Sequence, residues 1–257
     1  MKSLVKYLKK REAEILFLLR KAKEDFTVND FHKLRVEIKK LNAFFEMVDF
    51  CVSGFKRGKK YKPFRLIFKQ AGRVRELQVE EEMLSAFFME NSLQDYRLEL
   101  SRALEKEKES FFSINDQKKQ DLLQDKILKT IPFLKKINRK KMAAYMEFAW
   151  KKIEKILEQE NLLSENLHFL RKRIKKLLYN RVLVSKGGGK KTVSITDDLS
   201  DMLGKWNDGQ VILNRLEAAM NSGKIKPGEL LQIENLKAQI MSNNAQMFDQ
   251  IKLSIHS

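Results

Sequence analysis

The 257-residue chain carries 52 Lys and Arg against 34 Asp and Glu, a formal net charge of +18, with 43% hydrophobic residues. That length supports one large core or two smaller ones, and that charge predicts a polyanionic partner: nucleic acid, an anionic membrane surface or a phosphate polymer. A single cysteine, Cys51, excludes an intrachain disulfide and predicts a reducing compartment such as the cytoplasm, and three scattered histidines offer no zinc pattern.

Helical period dominates from the first residue. Residues 1–25 place Leu4, Leu8, Ile15, Leu18 and Leu19 on one side. The apolar stretch Ile15–Leu19 is closely flanked by charge, too short for a secretion signal or a membrane span. Thr27 with Asp30 three residues on predicts a capping box and a helix to about Val52. SGFKRGKK at 53–60 breaks that helix, and the next is expected from about Pro63 to Glu90, followed by one from about Leu93 to Phe112. After INDQ at 114–117 a short helix stops near Ile131-Pro132, and Leu134–Gln159 reads as helical again. Ser164 is expected to cap the helix that ends before the loop SKGGGKKT at 185–192. Helices over about 194–221 and Glu229–Leu253, separated by NSGKIKPGE, complete an all-α chain with no convincing strand.

The chain also repeats itself. FHKLRVEIKKLNAFF at 31–45 aligns with LHFLRKRIKKLLYNR at 167–181, repeating His, Leu, Arg, Ile, Lys, Lys and Leu at one spacing. A second pair follows one helix later, AGRVRELQV at 71–79 against LGKWNDGQV at 203–211. Two matches in the same order at nearly the same offset predict an internal duplication. The expected architecture is two four-helix-bundle halves, 1–112 and 113–257, joined near residues 113–117.

On a helix turning about 100° per residue, His32, Arg35 and Lys39 form one stripe, with Lys40 about 80° to its flank. Leu34, Ile38, Leu41 and Phe45 lie largely opposite. His168, Arg171, Lys175 and Lys176 repeat the pattern, while the intervening residues vary: Lys33 becomes Phe169, Val36 becomes Lys172 and Glu37 becomes Arg173. One such stripe reads as a solvated face; two with the same order read as a phosphate site. Arg presents a planar fork of donors, Lys a point charge, and His one donor when neutral and two when protonated. Arg73, Arg75 and Lys205 in the second repeated segment extend the basic surface, with Glu76 and Asp208 expected to orient them. Gly72 and Gly204 are expected to permit close helix approach, with Val79, Val211 and Trp206 in the core. KGGGKKT fails the phosphate-loop pattern, since Val184 replaces the first Gly and Lys191 the Ser/Thr. No catalytic set or carboxylate metal cluster stands out at a readable spacing.

The motif H-x-L-R-x-x-I-K-K, found twice and each time followed by [LA]-G-x-x-[RN]-[DE], resembles the CHAD family, the conserved histidine α-helical domain. The resemblance spans essentially the whole chain. It implies two four-helix halves related by a pseudo-twofold and forming one all-α domain, and non-enzymatic binding of inorganic polyphosphate in a basic groove or pore between them, with no cofactor and no obligatory metal. By resemblance the contacts are His32, Arg35, Lys39 and Lys40 with His168, Arg171, Lys175 and Lys176, and the location is cytoplasmic, with polyphosphate granules as an associated site. The family often adds a basic residue where this chain has Asn42 and Leu178. Its Arg-Asp pair is Arg75-Glu76 in the first half and Asn207-Asp208 in the second. The competing reading is a basic helical RNA- or DNA-binding protein, disfavoured because the aromatic residues needed for stacking sit largely at core-period positions. A histidine phosphotransfer bundle is the weaker enzymatic alternative, since no small residue stands beside the histidines.

Overall fold

The helical period of the sequence is realised as helices, and among the described residues there is no strand. The computed structural model describes residues 2–87, 92–159, 163–184, 190–221, 223 and 225–256, with side chains for all of these except 190–196 and 256. The elements are α1 (Lys2–Leu19), α2 (Val28–Cys51), α3 (Arg57–Phe87), α4 (Gln94–Ile114), α5 (Gln117–Leu128), α6 (Ile131–Leu134), α7 (Arg139–Leu157), α8 (Ser164–Arg181), α9 (Lys190–Asn221) and α10 (Pro227–His256).

Local chemistry sets several boundaries. The capping box is present at α2: the Thr27 N–H and hydroxyl each donate to Asp30 Oδ2 at 2.8 Å, and Lys21 Nζ reaches the same oxygen at 2.9 Å. Helix α3 starts six residues before the expected Pro63, which lies inside it. Its first N–H, on Arg57, donates to Asp49 Oδ1 at 3.1 Å, so a residue of α2 fixes the start. Gly54 (φ 83°) and Lys56 (φ 54°) supply the left-handed turn between the two helices. The expected helix 134–159 is divided, because the Asn138 side chain accepts the Lys141 N–H at 2.9 Å and opens α7 there. Ser164 is the first residue of α8 rather than its cap: the Leu163 carbonyl accepts from Asn166 at 2.9 Å. The 185–189 part of the expected loop lies outside the described residues, and α9 begins at Lys190.

Packing gives two compact units. The first comprises Met1–Gly72 and Ser110–Thr196, the second Arg73–Glu109 and Asp197–Ser257. Each draws on both sides of residue 113, so packing partitions the chain differently from the repeat.

In the first unit α1 packs on α2, and α2 packs on α7 and α8. The apolar faces read from the sequence are buried: Leu4, Leu8, Ile15 and Leu19 of α1, Leu34, Ile38 and Leu41 of α2, and Leu167, Leu170 and Ile174 of α8 are all at most 1% exposed. Asn180, also fully buried, donates from Nδ2 to the Ala43 carbonyl at 2.9 Å and ties α8 to α2.

The second unit surrounds Leu77, Leu84, Tyr96, Leu100, Ile212, Leu216, Ile233 and Leu236. Fully buried Glu80 accepts from Tyr96 Oη and from Arg215 Nε. Burial, then the Glu80 charge, hold the Tyr96 hydroxyl far above its ordinary pKa, so it stays a donor. The Glu229 carboxylate accepts from the N–H groups of Asp95 and Tyr96 at 3.0 and 3.1 Å, satisfying the first turn of α4. Trp206 is buried as expected. Gly204 has open space where a β-carbon would stand; the close approach is made by Gly209, against the Asn244 amide.

Candidate anion-binding site

Both copies of the repeated motif fall in the first unit, on helices that pack against each other. Helix α2 carries His32, Arg35, Lys39 and Lys40; α8 carries His168, Arg171, Lys175 and Lys176. His32 is exposed and the other seven are half-buried.

Arg35 is the most closely positioned of the set. Its Nη1 donates to the Phe68 carbonyl at 3.0 Å, and its guanidinium lies 4.4 Å from the centroid of the Phe68 ring. Gly72 makes this possible, since a β-carbon there would fall on Arg35 Nη1. The glycine thus admits a guanidinium, whereas the sequence suggested a close helix contact.

His32 and Lys40 line a cleft of about 390 Å³ between α1 and the start of α2, together with Lys21, Lys33, Asp30 and Glu37. Lys40 Nζ is 2.7 Å from Glu37 Oε1, and Arg11 Nη1 from α1 is 2.7 Å from the other Glu37 oxygen. On α8 the Nε of Arg171 is buried without a hydrogen-bond partner. Burial raises the Tyr179 hydroxyl pKa, with the Arg171 charge lowering it and Glu37 raising it, so Arg171 and Glu37 act on one neighbourhood.

The remaining candidates lie in the second unit. Arg73 and Lys205 are exposed, with Arg73 3.8 Å from Glu107. Arg75 is engaged by both oxygens of Glu82, at 2.7 and 3.0 Å. The expected partner, Glu76, is wrongly placed: residues seven apart share a helix face, and adjacent ones point about 100° apart. Among the described residues no group of His, Cys, Asp or Glu could hold a metal ion, and no helix is long and apolar enough to cross a membrane.

Residues 6–217 match the CHAD domain family. The chain belongs to that family. This CHAD domain is similar in fold to the CHAD domain from the plant Ricinus communis, with TM-score 0.77 and 15% identity over 100% of this chain and 91% of that one. It is similar likewise to PptA from Streptomyces chartreusis, with TM-score 0.75 and 12% identity over 100% and 99%. No curated protein sequence matches the chain.

The CHAD motif residues have neighbours that the sequence reading missed. Arg11 stands three residues after Leu8 and four before Ile15, inside the apolar stripe of α1; a cation at such a position signals a buried partner, here Glu37. Asn42, where the family often has a basic residue, accepts from Arg57 Nε and Nη2 at 3.2 and 3.0 Å. Glu46 lies 3.1 Å from Arg57 Nη1 and 2.6 Å from Lys176 Nζ. These contacts join residues 11 to 130 positions apart, which local patterns do not report.

Proposed function

We propose that this CHAD domain binds inorganic polyphosphate, a long linear polyanion, along the basic face of the α2–α8 pair, and that it does so as a binding module without catalysis. The observation that carries the reading is the packing of both motif helices within one unit, with their cations half-exposed on a chain of net charge +18. The contacts assigned are His32, Arg35, Lys39, Lys40, His168, Arg171, Lys175 and Lys176. Arg73 and Lys205 are exposed on the second unit, where Arg75 is neutralised by Glu82.

A polymer that engages one motif presents its next phosphates to the other at high effective concentration, so avidity exceeds either motif alone. Neutralising several phosphates releases counterions, and affinity falls steeply with salt. A buried, unreactive Cys51 thiol, pushed up to about 11 by burial, is compatible with the proposed cytoplasmic location.

The aromatic residues bear on the nucleic-acid alternative. Phe31, Phe44, Phe45, Phe55, Phe64 and Phe111 are buried, whereas Phe17, Phe50, Phe87, Phe148 and Phe169 are exposed, Phe50 and Phe148 with ring centroids 4.9 Å apart. Lys152 Nζ lies 3.8 Å from the centroid of Phe148. Phe148 is thus engaged by its own neighbours.

The decisive experiment is a gel shift with polyphosphate across salt concentrations, comparing wild type with Arg35→Ala/Arg171→Ala. The double variant is expected to lose most binding with its helical circular dichroism intact; undiminished binding would refute the site. Competition with RNA at matched phosphate concentration separates the two polyanion classes.

A further inference from the structure

His32, Arg35, Lys39, Asn42 and Glu46 follow one another at steps of three and four residues, so they form one line along α2. The line opens with a histidine and two cations and ends in a carboxylate. Two cations from elsewhere in the chain converge on that carboxylate, Lys176 of α8 at 2.6 Å and Arg57 at the start of α3 at 3.1 Å. Asn42 holds the opposite edge of the Arg57 guanidinium through two bonds. The charged side chains of Arg57, Glu46 and Lys176 are 31%, 31% and 35% exposed, so an anion from solution reaches them. Arg57 also shares a neighbourhood with Arg35: burial raises the Tyr61 hydroxyl to about 12, and the Arg57 and Arg35 charges both act to lower it.

We propose that Arg57 and Lys176 form the far end of the polyanion track and that Glu46 is its built-in competitor, displaced by a phosphate group when the polymer is bound. This rests on the polyphosphate reading above. The charges favour exchange. Glu46 brings one negative charge to two cations, leaving an excess of positive charge that a phosphate in a chain neutralises better. Arg57, pre-oriented by Asn42, turns a planar fork of donors toward whichever anion occupies the position. A small anion from bulk must compete with a carboxylate tethered beside its partners. A polymer already held at Arg35 and Lys39 delivers its next phosphate at comparable effective concentration.

The test is fluorescence-detected binding of long-chain polyphosphate across salt concentrations. Glu46→Gln, which keeps shape and removes charge, is expected to bind about 3- to 10-fold more tightly, the scale of two partly exposed ion pairs. Its salt dependence should steepen, since two more cations become available to phosphate. Asn42→Asp, which sets a second carboxylate on Arg57, is expected to weaken binding, and gives an independent reading if Glu46→Gln loses its fold. Arg57→Ala should cost more affinity in the Glu46→Gln background than in the wild type. Unchanged or weaker binding by folded Glu46→Gln, or no effect of Asn42→Asp, overturns the proposal and leaves polyphosphate binding standing. Failure of the wild type to bind polyphosphate overturns the underlying reading instead.

Discussion

Gly72 stands where any β-carbon would fall on Nη1 of Arg35, and that vacancy lets the guanidinium reach the Phe68 carbonyl and ring. Substitution Gly72→Ala therefore tests positioning apart from stability. The obstructed atom is the tip of a flexible side chain, which can swing aside. Alanine also favours the helix by up to ~1 kcal/mol over glycine. The expected result is unfolding free energy within about 1 kcal/mol of wild type, with polyphosphate affinity reduced about 3- to 10-fold through loss of one oriented arginine. Calorimetric binding beside urea denaturation measures both.

The parts of the fold legible in the sequence were those decided within one or two helical turns. The three-residue spacing of Thr27 and Asp30 announced the capping box, and the steps between Leu34, Ile38 and Leu41 announced a fully buried face. The start of α3 was not legible, because proline favours a first turn while the actual boundary is held by Asp49 in the preceding helix. The site divides the same way. The repeated His-Arg-Lys order marked its stripe, and Glu37 pairs with Lys40 within the helix, but the pairing of Glu37 with Arg11 and of Glu46 with Arg57 and Lys176 depends on tertiary approach. Gly72 was conspicuous by its recurrence, yet its role required knowing which side chain crosses it.

Asp30 gives a pH prediction. Burial alone would raise its pKa, but hydrogen bonds from Lys21 and Thr27 outweigh that and hold it below its ordinary 3.8. A depressed carboxylate contributes stability above its unfolded pKa and loses it as pH falls through the folded value. Asp30→Asn is expected to cost about 1 kcal/mol at pH 7, the usual worth of a helix cap. The gap to wild type should narrow as pH is taken below 3.8. Urea denaturation of both proteins across acid pH checks the sign.

The Arg11–Glu37 pair is nearly sealed, its side chains 8% and 12% exposed. Breaking one partner leaves the other charge without compensation in a poorly solvated place. Glu37→Ala is expected to destabilise by about 3 kcal/mol, whereas Arg11→Leu/Glu37→Leu, which removes both charges, should recover most of that loss. Equal destabilisation by the single and double variants in denaturant titrations would show that the pair acts by specific bonding rather than by charge balance.

In the second unit Tyr96 supplies one of the two donors that satisfy fully buried Glu80. Tyr96→Phe removes only the hydroxyl and leaves that carboxylate oxygen unpartnered, which should cost about 1–3 kcal/mol. Because burial and Glu80 raise the Tyr96 pKa, its contribution is complete below the ordinary value of 10.0 and is lost as pH rises past it. The stability gap between variant and wild type is therefore expected to hold constant from neutral pH to about 10 and to shrink in stronger alkali. Tyr96 is absent from the motif helices, so polyphosphate affinity of the folded variant should stay within about twofold of wild type, well under one ion pair's worth. Thermal denaturation followed by circular dichroism at several alkaline pH values, with binding measured at neutral pH, separates a purely structural tyrosine from one that contributes to the anion site.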